Sequence, residues 1–323
     1  MKKIILSILL ILVVGIAAVA LYVKFGLPNV GKAPDIKVAK TPERIKHGEY
    51  LANHVSLCMD CHSTRDWSKF SGPIKNGTFG IGGEFFNEKM GFPGKFYSFN
   101  LTPSHLSTWT DGEIFRTITT GVSKDGRALF PIMPYGNYGK MDKEDIYDII
   151  AFIRTLKPVE SVTPKRSIDF PMSFILNTIP HKATFSSKPP KSDIVNYGAY
   201  MTNAAACREC HSPVKHGQII ESLAFSGGRE FIFPNGIVKS ANLTSDSSTG
   251  IGEWDSERFV GRFKAYSDAA DLEVLNSNQL NTIMPWNMFA GMDTFDLQAI
   301  YAYLKTIKPI KNEVIHFNNN PKK

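Results

Sequence analysis

The chain has 323 residues, four cysteines and a formal net charge of +7. Its Lys and Arg residues are scattered rather than gathered into a stripe or a run, which excludes the usual signature of nucleic-acid binding. Walker, dinucleotide-binding and zincin motifs do not occur in the sequence, so it offers no sign of the chemistries that depend on them.

The first feature along the chain is an apolar segment over residues 4–23, which follows Lys2 and Lys3. A bilayer-spanning helix needs about 20 such residues, whereas a secretory h-region usually has about 7–15. The lysines predict that the N-terminus stays in the cytoplasm. We therefore predict that residues 1–24 are a membrane anchor in the bacterial cytoplasmic membrane and that the rest lies in the periplasm. Cleavage near Ala20, which would leave a soluble periplasmic protein, is the alternative.

After a linker over residues 25–39, the motif Cys-x-x-Cys-His appears, and it occurs twice in the chain. The copies are Cys58-Met59-Asp60-Cys61-His62 and Cys207-Arg208-Glu209-Cys210-His211. This is the attachment motif of c-type haem. Two thiols on one helical turn reach the two vinyl groups of the porphyrin, and the histidine becomes the proximal iron ligand. We predict two covalently bound haem c groups, held by Cys58, Cys61, Cys207 and Cys210, with His62 and His211 on iron. Zinc binding, thiol redox chemistry and structural disulfides are the alternatives.

The two motifs lie at corresponding places in an internal repeat. Matching pairs include Gly48 with Gly198, Gly82 with Gly227, Asn100 with Asn242, Trp109 with Trp254, and Pro158 with Pro309. The repeat predicts two homologous domains, over residues 40–160 (the first repeat) and 192–312 (the second repeat), each of ordinary domain size.

Each repeat is expected to open and close with a helix. Thr41 before Pro42 is typical of a helix N-terminus, and Asp142 and Asp293 are the expected N-caps of the closing helices. The spacing of Thr110 and Glu113 makes a capping box, which predicts that a middle helix starts there. Glycine inside the opening helices, at Gly48 and its partner in the second repeat, costs about 1 kcal/mol relative to alanine and predicts close contact with the closing helix. Strand signals are sparse. The sequence therefore predicts an all-α fold.

The segment between the repeats, residues 161–191, is rich in both proline and apolar side chains. A free tether would be polar, so we expect this linker to pack across the domain interface. A partner-binding surface is the alternative. A tail over residues 313–323 follows the second repeat.

The sixth position on each iron decides its chemistry, because an open site binds small ligands whereas a methionine thioether favours electron transfer at a raised potential. Met133 and Met284 are the candidates. Both stand in an Ile-Met-Pro loop at matching places in the repeats, and the proline stiffens the backbone next to the ligand. Other methionines, such as Met288 and Met292, have no counterpart in the first repeat. We predict Met133 and Met284 as the sixth ligands.

These motifs resemble class I cytochrome c. Residues 242–254 and 301–305 are more particularly similar to the cytochrome subunits of bacterial periplasmic alcohol, aldehyde and gluconate dehydrogenases. The resemblance covers about residues 40–160 and 192–312. It implies two tandem class I cytochrome c domains after an N-terminal transmembrane helix. It also implies redox protein partners. Those subunits carry three haems and attach to the membrane near the C-terminus, whereas this chain has two motifs and an N-terminal apolar segment.

We expect a dihaem c-type cytochrome that passes single electrons between redox partners in the periplasm. The partners would be a dehydrogenase, a quinol-oxidising complex or a terminal oxidase. The sequence favours an electron carrier over an enzyme, and we identify no catalytic residues. The alternatives are a haem-containing acceptor subunit of a periplasmic dehydrogenase complex and a dihaem cytochrome c peroxidase.

Overall fold

The computed structural model describes residues 1–233, 236–268, 272–276, 279 and 281–318. Its chain divides into two compact units. The first unit contains Met1–Lys37, Trp109–Lys140 and Ile168–Thr184, and the second contains Val38–Thr108, Met141–Ser167 and Phe185–Lys323. Of the expected tail over residues 313–323, the last five residues lie outside the described part of the chain.

Helices account for 40% of the chain. They are α1 (Lys2–Leu21), α2 (Pro42–Tyr50), α3 (Cys58–Cys61), α4 (Pro103–Leu106), α5 (Asp111–Thr120), α6 (Tyr135–Tyr138), α7 (Lys143–Ile153), α8 (Met172–Ile175), α9 (Ile194–Ala204), α10 (Cys207–Cys210), α11 (Ser256–Lys264), α12 (Trp286–Phe289) and α13 (Thr294–Leu304). Short 3-10 or π turns lie at Tyr22–Gly26, Leu51–Val55, Glu88–Met90, Leu176–Thr178 and Glu221–Leu223.

The prediction of an all-α fold is wrong, because strands make up 9% of the chain in three small sheets. The strands are β1 (Phe85–Phe86), β2 (Gly94–Tyr97), β3 (Ser167–Ile168), β4 (Val214–Lys215), β5 (Gln218–Ile219), β6 (Glu230–Phe233), β7 (Gly236–Lys239) and β8 (Phe317–Asn318). The antiparallel pairs include β1 with β2, β4 with β5, β6 with β7, and β7 with β8. Strands of two to four residues are too short for period-two alternation to stand out in a sequence.

In the first unit, α1 is apolar after Lys2 and Lys3 apart from Ser7, and an 18-residue window of the helical stretch Lys2–Gly26 has a mean hydropathy of 3.2. This stretch is long and apolar enough to cross a bilayer, a property that signal sequences near an N-terminus share. Its end packs within the unit, since Val23 is buried and its carbonyl oxygen accepts a hydrogen bond from the Asn177 amide at 3.2 Å. The capping box at Thr110 and Glu113 starts α5 as expected.

In the second unit, the opening helix of each repeat packs against the closing helix of the same repeat. A Cβ atom added at Gly48 would lie 1.8 Å from the carbonyl oxygen of Asp148, and one added at Gly198 would lie 1.9 Å from that of Ala299. The glycines therefore permit backbone contact between α2 and α7 and between α9 and α13. The expected helix caps form at Thr41 and Asp142, while Asp293 occupies the N-cap position of α13 without a side-chain capping bond.

Two equivalent tyrosines, which we call the interface tyrosines, join the two repeats within the second unit. Tyr50 of the first repeat donates a hydrogen bond to Asp296 of the second at 2.6 Å. Tyr200 of the second repeat donates to Asp145 of the first, also at 2.6 Å. Each hydroxyl also accepts a backbone N–H bond at 3.0 Å, from Asp293 and Asp142 respectively. The contact is reciprocal because equivalent residues of the two repeats exchange partners.

Candidate functional site

The two Cys-x-x-Cys-His motifs have the same local backbone. Each pair of cysteines spans one short helix, α3 or α10, and the preceding residue adopts a left-handed conformation. The φ angle is 53° at Leu57 and 52° at Ala206. A non-glycine residue rarely adopts this conformation, and such strain is concentrated at functional sites.

All four cysteines are free thiols. The two thiols of each motif begin and end a single helical turn, which is the arrangement that bonding to the two vinyl groups of one porphyrin requires. Burial raises the pKa of Cys58, Cys61 and Cys207 to about 12, so these groups are neutral thiols at neutral pH. The donor set therefore fits a covalently attached haem and does not form the disulfide framework that the sequence left open.

The two motif histidines are held in the same orientation. Nδ1 of His62 lies 2.7 Å from the carbonyl oxygen of Phe99, and Nδ1 of His211 lies 2.8 Å from that of Ala241. Because a carbonyl oxygen only accepts, each Nδ1 carries the hydrogen, which leaves the Nε2 lone pair free for iron. Burial lowers the pKa of both imidazoles, so the neutral, ligating form is favoured.

The repeated glycines Gly82 and Gly227 allow this histidine contact. Each donates its N–H to the carbonyl oxygen of the motif histidine, at 2.9 Å for His62 and 2.8 Å for His211. Both have positive φ angles, and an added Cβ atom would lie 2.5 Å from the backbone of Phe99 or Ala241. The glycine therefore brings the haem-attachment segment against the strand or loop that holds the imidazole.

The repeated asparagines have a structural role in this arrangement. Asn100 and Asn242 stand at matching positions in the two repeats. Asn100 accepts from the Thr102 N–H at 2.7 Å and donates to the Val159 carbonyl at 2.8 Å. Asn242 makes the equivalent bonds to Thr244 and Ile310. Both amides therefore form a turn and fix the segment that follows the closing helix.

The two candidate methionines stand in loops of the same shape. Met133 lies in the first unit before α6, and Met284 lies in the second unit before α12; both side chains are half-buried. The N–H of the aromatic residue two positions later returns to the methionine carbonyl, from Tyr135 at 2.8 Å and from Trp286 at 2.9 Å. Met288 and Met292 are buried instead, as expected for core residues.

A buried ion pair joins the first motif to the residues that follow it. Asp60 and Arg65 are both buried, and an Arg65 guanidinium nitrogen lies 3.1 Å from an Asp60 carboxylate oxygen. Burial raises the pKa of Asp60 to about 6, and the charge of Arg65 opposes that shift. Arg65 also donates to the carbonyl oxygens of Ser71 and Gly72, at 2.6 and 2.8 Å. This network could not be predicted from the repeat, because Arg65 has no counterpart in the second repeat.

No family model matches the chain, but known proteins are similar to it. It is 29% identical over 225 residues to the fructose dehydrogenase cytochrome subunit of Gluconobacter japonicus, covering 66% of this chain and 43% of that protein. It is 24% identical over 303 residues to the alcohol dehydrogenase (quinone) cytochrome c subunit of Gluconacetobacter polyoxogenes, covering 88% of this chain and 61% of that protein. It is 26% identical over 269 residues to a dihaem c-type cytochrome of Cereibacter sphaeroides, covering 79% of this chain and 83% of the relative.

The two motifs fit covalently bound haem c, and the similar proteins described above are cytochrome subunits of dehydrogenases and a dihaem c-type cytochrome. More particularly, its homologues are electron-transfer cytochrome c subunits of alcohol, fructose and gluconate dehydrogenases and a dihaem cytochrome c, at modest identity. The predicted resemblance to dehydrogenase cytochrome subunits is thereby confirmed. The chain spans about half the length of the dehydrogenase subunits to which it is similar.

Proposed function

We propose that the chain is a dihaem c-type cytochrome that passes single electrons between redox partners in the periplasm. The observation that carries this proposal is the matched arrangement of His62 and His211, each with Nδ1 donating to a backbone carbonyl and Nε2 free for iron. When bound, haem supplies an iron that accepts and releases one electron. The chain's own residues hold the neutral imidazole in one tautomer and fix its ring.

Met133 and Met284 are proposed as the sixth ligands. The support is their equivalent position in the repeats and the matching turn that each forms with the following aromatic residue. A thioether on both irons closes them to small ligands, which favours a carrier over a peroxidase. The proline after each methionine limits the conformations of the loop and so helps to hold a weak ligand in place.

The proposed partner is a dehydrogenase, because the relatives include cytochrome subunits of such enzymes. We further propose that residues 1–24 anchor the protein in the membrane, which the apolar helix α1 supports.

We also propose that the linker over residues 161–191 helps to hold the two repeats in a fixed relation. Lys188 donates to Asp145 of the first repeat at 2.6 Å, and the Lys191 ammonium lies 3.5 Å from Asp296 of the second. Limited proteolysis tests this point, since a packed linker resists cutting between residues 165 and 190. Rapid cutting there would contradict it.

The proposed function is tested by replacing each histidine ligand in the haem-loaded protein. His62→Ala and His211→Ala should each remove one of two low-spin centres from the absorbance and electron paramagnetic resonance spectra. His181→Ala, at an exposed histidine outside both motifs, should leave both. Retention of two unchanged low-spin centres in either ligand variant would overturn the assignment.

A further inference from the structure

The loop that carries Met284 is held by a residue of the other repeat. Ser71 belongs to the first repeat and is fully buried, with 0% of its surface exposed. Its hydroxyl donates to the Met284 carbonyl oxygen at 2.7 Å and accepts from the Trp286 N–H at 2.9 Å. The two bonds lie on either side of Pro285, which has no N–H of its own. One side chain therefore forms hydrogen bonds with both ends of the Met-Pro-Trp turn.

Asn281 completes the attachment from the second repeat. Its side-chain oxygen accepts from the Ser71 N–H at 3.0 Å, and its amide donates to the carbonyl oxygens of Trp67 and Lys69, at 3.1 and 3.3 Å. Asn281 is itself buried. The residues just before Met284 are thus tied to the same first-repeat loop as the residues just after it.

The first-repeat loop is rigid at the position where it makes this contact. Ser71 has a φ angle of 65°, and its carbonyl oxygen accepts from the buried Arg65 guanidinium at 2.6 Å. Arg65 also packs over the Trp67 ring, 4.2 Å from its centroid, and Glu84 accepts from the Trp67 indole at 2.8 Å. A serine held at a strained angle by several buried hydrogen bonds is a fixed anchor rather than a passing contact.

We propose that Ser71 is a positioning residue for the sixth ligand of the second haem, so that the first repeat sets how firmly Met284 is held on iron. The inference rests on the proposed function, because it takes Met284 as a ligand. It goes beyond it by making the coordination of one iron dependent on a residue of the other repeat. The position of Met284 therefore depends on both repeats, since Ser71 lies in the first repeat and Met284 in the second.

The size of the effect follows from the two hydrogen bonds. Each is worth about 0.5–1.5 kcal/mol net, and the Trp286 N–H keeps its bond to the Met284 carbonyl within the turn. Losing both Ser71 bonds should raise the population in which Met284 has left the iron about fivefold to 150-fold. Imidazole, which competes with the thioether for the same axial position, should bind that iron more tightly by the same factor.

The test uses the full-length, haem-loaded protein with Ser71→Ala and Ser71→Gly. Both substitutions remove the hydroxyl, and glycine also accepts the positive φ without strain. Ser226→Ala is the matched control, since Ser226 is equally buried but donates to Leu223 within the second repeat. The readouts are the charge-transfer band of the thioether–ferric iron bond and imidazole titration of each centre.

We expect both Ser71 variants to weaken the band of one centre and to raise its imidazole affinity, with the other centre and the Ser226 control unchanged. Wild-type band intensity and imidazole affinity in both variants would overturn the positioning role. If neither variant accumulates, amide hydrogen exchange of wild-type residues 281–288 decides. Protection of the Trp286 amide close to that of the buried helix α13 supports the positioning role of Ser71, and exchange as fast as in an exposed loop refutes it. Absence of the thioether band in the wild type would instead refute Met284 ligation, and with it the proposed function of that loop.

Discussion

Replacing the interface tyrosines by phenylalanine tests how the two repeats are joined. Tyr50→Phe removes the bond to the Asp296 carboxylate at 2.6 Å, and Tyr200→Phe removes the bond to Asp145 at 2.6 Å. A hydrogen bond to a charged group contributes about 1.5–3 kcal/mol. Neither carboxylate is left without a partner, because Asp296 keeps Tyr197 at 2.9 Å and Asp145 keeps Lys188 at 2.6 Å. We therefore expect about 2 kcal/mol from each substitution and about 4 kcal/mol from both together.

The assay is urea unfolding of the haem-loaded protein, followed by Soret circular dichroism and by tryptophan fluorescence. Tyr266→Phe is the control, because the contacts that the structure describes for Tyr266 are made by its ring, on Phe70 and Trp286. This control should change the free energy of unfolding by less than about 0.5 kcal/mol, the usual range away from buried networks. A double variant that lowers the free energy of unfolding by under about 1 kcal/mol, or a control that lowers it as much as the interface variants do, would show that these bonds do not join the repeats.

Three further predictions concern pH, packing and ligation. Burial and the neighbouring carboxylates raise the pKa of both interface tyrosines above 10. Their contribution to the free energy of unfolding should therefore be present below pH 10 and decline as the pH rises further. Phenylalanine at both positions should make that decline less steep in unfolding curves. Gly198→Ala should destabilise the fold by about 3 kcal/mol or more, because a carbonyl oxygen of α13 lies 1.9 Å from the new Cβ. The control Gly261→Ala, in open space on α11, should be neutral or stabilising by up to about 1 kcal/mol. Equal melting temperatures of the two variants would contradict this. Met133→Leu and Met284→Leu should each abolish one thioether–iron absorbance band. Met201→Leu, at a buried methionine of α9, should leave both bands unchanged. Loss of a band in the Met201 variant would contradict the ligand assignment.

Features that depend on local chemistry could be predicted from the sequence. The capping residues Thr41 and Thr110, the glycine contacts between opening and closing helices, and the haem-attachment motifs each follow from a short stretch of residues. The repeat added the pairing of equivalent positions. It paired Asn100 with Asn242, although the group that contacts each motif histidine is the carbonyl of the residue just before the asparagine, at Phe99 and Ala241.

Features that depend on contacts between distant segments could not be predicted. The small sheets were missed because two to four residues give no periodic signal, and β7 is paired with β8 from near the end of the chain. The hydrogen bonds of Ser71 to the Met284 loop were missed for a similar reason. The partners of Ser71 lie more than 200 residues away, and a single serine in a loop has no sequence signature. The reciprocal tyrosine contacts were invisible because an exchange of partners between repeats leaves no pattern in either copy.

The central claim is that both irons carry a histidine and a methionine and exchange electrons without binding small ligands. An absorbance-monitored redox titration of the full-length, haem-loaded protein, repeated under carbon monoxide, tests it most directly. We expect two low-spin centres of raised potential whose spectra and potentials carbon monoxide does not change. A centre that is high-spin, or that binds carbon monoxide in the reduced state, would contradict it and indicate an enzyme that uses an open iron.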